Sequence, residues 1–178
     1  MNLMEETMSN QADAALPALN AQMRGFMEAI AQYYEHYGIP RIAGRMFGLF
    51  LLTTEPLSAE QIAQALDASL SSVSTNVRAL IANGWVDKVT FPGERTTYYR
   101  FSPSAWEHVM ERRKQSFQPL QTIAQTMLAE LPADHPAREQ LSSMSAWTVL
   151  LKDHYDRLIA DWRLRTETQA SHPGDESE

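Results

Sequence analysis

Residues 58–101 constrain the chain more than any other stretch, because four local signals follow one another there in a fixed order. Ser58-x-x-Gln61 has the spacing of a capping box, in which a serine hydroxyl and a glutamine side chain each satisfy an orphan backbone N–H. It opens a helix over 59–66 with Ile62, Ala63 and Leu66 on the inner face. Asp67-Ala68 make a turn, and Ser69 is the N-cap of a second helix over about 70–83. The inner face of that helix is Val73, Val77, Leu80 and Ile81, and Gly84 stops it as a glycine just past a helix end does. Trp85 to Phe91 then reads as a strand and Pro92-Gly93-Glu94-Arg95 as a turn. Thr96 to Phe101, which is β-branched and aromatic, returns as the second strand.

The flanks are helical. Leu19, Met23, Phe26, Ile30, Tyr33 and Tyr37 recur at threes and fours, the stripe of an amphipathic helix closed by Gly38 and Pro40. Residues 41–53 are apolar nearly all round and belong in the core. A long helix starts at Ser102-Pro103 and runs to about Glu130, with Pro119 placed to kink or split it. After a break over 131–136, a last helix runs from about Ala137 to Arg165. Its stripe of Met144, Trp147, Leu151, Tyr155, Leu158 and Trp162 is close to a heptad seam. The organisation is therefore a flexible arm (1–17), an N-terminal helix (18–40), a helix-pair-and-hairpin module (41–101), C-terminal helices (102–166) and a disordered acidic tail (167–178). The fold class is mainly α with a small β-hairpin wing: a winged helix-turn-helix with additional N- and C-terminal helices.

In such a module the second helix enters the major groove of duplex DNA and exposes short hydrogen-bonding side chains. Ser69, Ser71, Ser72, Ser74, Thr75, Asn76 and Arg78 supply that face. Arg78 suits guanine and Asn76 adenine, or either holds a phosphate. The hairpin tip, with Gly93, Arg95, Thr96 and Thr97, is placed to follow the backbone, and Arg95 to enter the adjacent minor groove. A net charge of −7 argues against nucleic acid at first sight. Its distribution removes the objection. Residues 1–40 carry one basic residue against five acids and 102–178 eight against twelve, whereas 41–101 carry six against five.

The segments GIPRIAGRMFGLFLL, EPLSAEQIAQAL, SSVSTNVRALIANGWV and PGERTTYY resemble the GbsR-type branch of the MarR family of bacterial regulators, over roughly residues 25–160. Ser72 to Arg78 and Pro92 to Arg95 carry the most specific part of the likeness. The resemblance implies a homodimeric transcription factor, usually a repressor, whose outer helices form the dimer; some members sense choline-like osmoprotectants. Asp67 stands where such relatives commonly have Gly, Leu70 where they often have a basic residue, and Thr96-Thr97 where their wings carry more charge. Fewer phosphate contacts imply a shallower salt dependence.

The stripes over 18–37 and 104–165 need partners, and a two-fold dimer on a palindromic operator supplies them. Packing on their own module is the alternative. Tyr33, Tyr37, Phe47, Trp147 and Tyr155, with Tyr34, Phe50 and Trp85 as further contributors, are candidates for an effector pocket in which an aromatic cage holds a choline-like cation. His36, His108, His135, His154 and His172 show no metal-ligand spacing, so no metal or other cofactor is expected. No catalytic motif is present, which points away from an enzyme. The absence of cysteine, of a signal peptide and of a membrane span leads to an expected cytoplasmic location. A winged-helix module that binds protein without touching DNA stays open beside the regulator.

Overall fold

The computed structural model describes residues 19–171, so the expected arm over 1–17 and the tail beyond 171 lie outside the described residues. The chain divides into two compact units at Ala105–Trp106.

The first unit begins with α1 (Ala21–Glu35) and α2 (Arg41–Leu52). Asn20 sets the start of α1, its side chain accepting a hydrogen bond from the Met23 N–H at 2.9 Å, two residues later than the apolar pattern suggests. Gly38, at φ +76°, provides the left-handed turn into α2. Much of α2 is buried, from Ala43 through Phe50 with only Arg45 half-exposed, as its all-round apolar character requires. The face that α1 turns to it is Met27 and Ala31; Phe26, Tyr33 and Tyr37 of the expected stripe are exposed. Gly44 and Gly48 of α2 lie against the backbone of Ala31 and Met27, so the two helices approach more closely than any side chain would allow.

Then come β1 (Leu57–Ser58), α3 (Ala59–Leu66), α4 (Leu70–Ala82), β2 (Val86–Val89) and β3 (Tyr98–Phe101). The capping box is formed: the Ser58 N–H donates to Gln61 Oε1 at 2.7 Å and the Gln61 N–H to Ser58 Oγ at 3.2 Å. Asp67 ends α3 in the left-handed region at φ 51°, a conformation that aspartate tolerates better than most residues. It thus replaces a turn glycine at small cost. Ser69 caps α4 by accepting from the Ser72 N–H at 3.2 Å. Gly84, at φ +75°, closes α4 with a hydrogen bond from the Trp85 N–H to the Leu80 carbonyl at 3.0 Å.

The sheet has three antiparallel strands in the order β1-β3-β2. Leu57 pairs with Tyr99 and Ser58 with Tyr98, which ties the entry of the helix pair to the hairpin. The β1 strand is too short to show any period in the sequence. The hairpin strands are shorter than expected, leaving 90–97 as the loop. Behind them Phe47 packs edge-on to Tyr34 at 5.3 Å, Trp85 at 4.5 Å and Phe101 at 5.8 Å, ring to ring.

The second unit consists of α5 (Ala105–Gln115), α6 (Gln118–Glu130) and α7 (Arg138–Ser171). Pro119 splits the expected long helix, sitting in the first turn of α6 where its missing N–H costs nothing. Arg138 donates to the Leu128 and Leu131 carbonyls at 2.7 and 2.8 Å, capping the end of α6. Lys152, one helical span along α7, reaches Gln118 and Gln121 at the start of α6, so α6 and α7 run antiparallel. Phe117, between α5 and α6, meets Trp147 edge-on at 5.8 Å and Tyr155 at a tilt at 6.0 Å, ring to ring. The helix α7 continues to Ser171, so residues 167–171, expected to belong to the disordered tail, are helical, and of its described side chains α7 buries only Thr148 and Ile159.

Candidate nucleic-acid interface

The outer face of α4 is where the sequence placed a recognition surface. Ser69, Ser71, Thr75 and Arg78 are exposed there, and Ser72 and Ser74 half-buried. Ser69 and Ser71 share a hydrogen bond at 3.1 Å between their hydroxyls. The Arg78 side chain folds back toward the N-terminal end of the helix, its Nε donating to the Ser74 carbonyl and its Nη2 to Ser74 Oγ, both at 3.0 Å.

Asn76 corrects the expectation. It is 9% exposed and lies on the inner face, beside Val73 and Val77, with its Nδ2 donating to the Ser72 carbonyl at 2.8 Å. The position is three residues from Val73 and four from Leu80 and so shares their side of the helix. Its amide satisfies itself on the backbone of the preceding turn, which is what makes the burial tolerable. Leu70 moves the other way. It is half-exposed in the first turn of α4, the part of a recognition helix that meets base edges. An apolar residue among serines at a helix start is the signal that the sequence offers for it.

The loop between β2 and β3 carries the remaining candidates. Gly93, at φ +84°, makes the turn, and Gly93, Arg95 and Thr96 are exposed while Thr97 is half-buried. The loop is anchored beneath its tip. The Glu94 N–H donates to the Phe91 carbonyl at 3.1 Å, Phe91 meets Tyr98 edge-on at 5.2 Å, and a hydrogen bond to Glu94, with burial, raises the Tyr98 hydroxyl pKa. Lys88 and Arg100 add exposed positive charge along the strands, Arg100 with Asp87 directly across the register.

The effector candidates fall into two ring clusters, one in each unit. Tyr33 on α1 and Tyr37 in the turn after it are exposed, 5.3 Å apart ring to ring, whereas Phe47 is 3% exposed and packed in the core. Beside Phe47, Tyr34 and Trp85 line a crevice of about 10 Å³, room for at most one water. Trp147 and Tyr155 belong to the Phe117 cluster of the second unit. Among the described residues no three His, Cys, Asp or Glu side chains converge to hold a metal. No described helix is long and apolar enough to cross a membrane.

A capped helix pair leading into a three-stranded sheet with an exposed, anchored loop is a winged helix-turn-helix, the architecture of a large class of DNA-binding regulators. The chain belongs to the MarR family of winged helix-turn-helix transcriptional regulators: residues 104–165 match the family described as "MmpR5-like MarR family transcriptional regulator". It is 34% identical over 116 residues to the HTH-type transcriptional regulator MmpR5 of Mycobacterium tuberculosis (strain ATCC 25618 / H37Rv), covering 65% of this chain and 70% of that one. It is 22% identical over 147 residues to the putative HTH-type transcriptional regulator YvaV of Bacillus subtilis (strain 168), covering 75% and 81%. A crystal structure of a transcriptional regulator superposes with a TM-score of 0.70 at 29% identity, over 80% of this chain and 99% of the other. These relatives are transcriptional regulators rather than enzymes.

Proposed function

We propose that the protein is a homodimeric repressor that reads a palindromic operator in duplex DNA through α4 and the β2–β3 wing, acts in the cytoplasm and is released by a small-molecule effector. The single observation that supports this most is the exposed hydroxyl-and-arginine face of α4 next to a wing whose tip presents Arg95. Within the proposal, Ser69, Ser71 and Thr75 meet phosphates or base edges, Arg78 meets guanine, and Leu70 meets a thymine methyl group. The wing residues Gly93, Arg95, Thr96 and Thr97 follow the backbone into the minor groove.

The dimer rests on the exposed apolar residues of α1 and α7, and two-fold symmetry in the protein then matches two half-sites in the operator. Membership of the GbsR-type branch rests on the motifs at 72–78 and 92–95. A choline-like effector on the exposed Tyr33 and Tyr37 is the finer part of the proposal, supported by their π-faces. The 10 Å³ crevice beside Phe47 is too small for such a cation unless the rings part.

Fluorescence anisotropy on duplexes from the promoter of the neighbouring operon tests the DNA reading. Arg95→Ala should weaken binding and reduce the slope of log affinity against log salt by about one. Arg78→Ala should relax preference at one position of each half-site. If both variants match the parent in affinity and slope, the helix pair and wing serve as a protein-interaction module instead. The acidic net charge and the exposed Leu70 are the observations on that side.

A further inference from the structure

The geometry points to Ser74 as a positioning residue for base readout: it holds the Arg78 guanidinium so that one edge of the fork is spent on the helix and the other is presented to DNA. This rests on the proposal that α4 reads the major groove.

A guanidinium carries five N–H donors in a planar fork with fixed directions. Two are used on one residue, Nε on the Ser74 carbonyl and Nη2 on Ser74 Oγ, each at 3.0 Å. That edge of the fork is therefore closed. Three donors remain, both on Nη1 and the second on Nη2, and at the tip of the fork one N–H from each nitrogen forms a roughly parallel pair. Guanine presents two acceptors, O6 and N7, in the major groove, and a parallel pair of donors matches them. The side chain is exposed, so this edge meets water until DNA displaces it.

Holding the fork has a thermodynamic use. A free arginine side chain samples many rotamers, and a base contact must otherwise overcome part of that entropy. The spacing fits the purpose, since residues four apart lie one above the other on a helix. The Ser74 hydroxyl is half-buried and accepts from Arg78, so its O–H hydrogen remains to donate. Lysine at position 78 has a point charge without a second edge and cannot keep both contacts.

The full-length chain, its Arg78→Ala and Arg78→Lys variants, and Ser74→Ala and Ser74→Thr are each incubated with a randomised duplex pool. Bound sequences are recovered, and affinity is then measured on single base-pair substitutions of the selected site. The parent should prefer guanine at one position per half-site by about tenfold or more. Both Arg78 variants should lose most of that preference. Ser74→Ala should lose part of it at the same base pair, by about threefold or more, with off-rates increased. Ser74→Thr, which keeps the hydroxyl, should restore it. If Ser74→Ala leaves the preference intact, or alters a different base pair, the positioning role is wrong while the recognition helix stands. If neither Arg78 variant changes any position, the reading of α4 as the recognition helix fails, and the inference with it.

Discussion

A β-carbon added to Gly44 would lie 2.6 Å from the Ala31 α-carbon, and one added to Gly48 would lie 2.9 Å from that of Met27. Two glycines one helical turn apart are thus what lets α2 press its backbone against α1. The contact is with main chain, which cannot rotate out of the way as a side-chain tip does. Overpacking costs about 1–3 kcal/mol and alanine gains about 1 kcal/mol of helix propensity, so Gly44→Ala should lower the free energy of unfolding by up to about 2 kcal/mol. Gly25, on the same helix pair, has nothing within 4 Å of an added β-carbon. Gly25→Ala should therefore stabilise by about 0.5–1 kcal/mol. Urea midpoints at unchanged slope measure both, and a rise for Gly44→Ala would mean the helices are not in close contact.

In the second unit, the Arg163 guanidinium pairs with the Glu107 carboxylate across α5 and α7. A hydrogen bond from Arg163 holds the Glu107 carboxyl below its ordinary range, outweighing the upward push of partial desolvation. A carboxyl depressed in the folded state contributes stability above its unfolded pKa, about 4.3. That contribution is lost as pH falls through the lower folded value. Glu107→Gln should reduce thermal stability at neutral pH, and its difference from the parent should shrink on acidification below about pH 4.3. A difference that grows on acidification would contradict the assignment.

Asn76 spends its amide on the Ser72 carbonyl and lies 9% exposed beneath the outer face. Asn76→Ala should leave base preference unchanged at every position of a selected site, because no donor is aimed at DNA. Loss of preference at an adenine in the same selection assay would return Asn76 to the readout face.

Leu150 and Leu164 are 61% and 65% exposed on α7. Trp147 and Leu158 are exposed on the same helix, and the proposed cover for these apolar side chains is a second copy. Leu150→Glu with Leu164→Glu should shift the sedimentation coefficient from dimer to monomer at micromolar concentration and weaken operator binding in parallel. A double variant that stays dimeric would move the dimer interface elsewhere.

Much of the module was legible because its signals are local. The capping box at Ser58 and Gln61, the N-cap Ser69 and the stop at Gly84 each depend on a few neighbouring residues, and each stands where its chemistry demanded. The same holds for Pro119, which ends one helix and starts another by lacking an N–H. The strand β1 was hidden, since two residues have no period and acquire their state only by pairing with Tyr98 and Tyr99.

What the amino-acid order determined by itself was the succession of helices, turn and hairpin, through capping, glycine stops and apolar spacing. Which face of each helix turns inward was decided by tertiary packing. Of the apolar stripe on α1 and the turn after it, Phe26, Tyr33 and Tyr37 stay exposed, because the close approach of Gly44 and Gly48 selects the side bearing Ala31 and Met27. On α4 the polar Asn76 goes inside, because its neighbours Val73 and Val77 carry it there and a backbone carbonyl is within reach. Helical periodicity specifies a set of faces, whereas the partner's shape picks among them, and that shape is assembled from residues far apart in the chain.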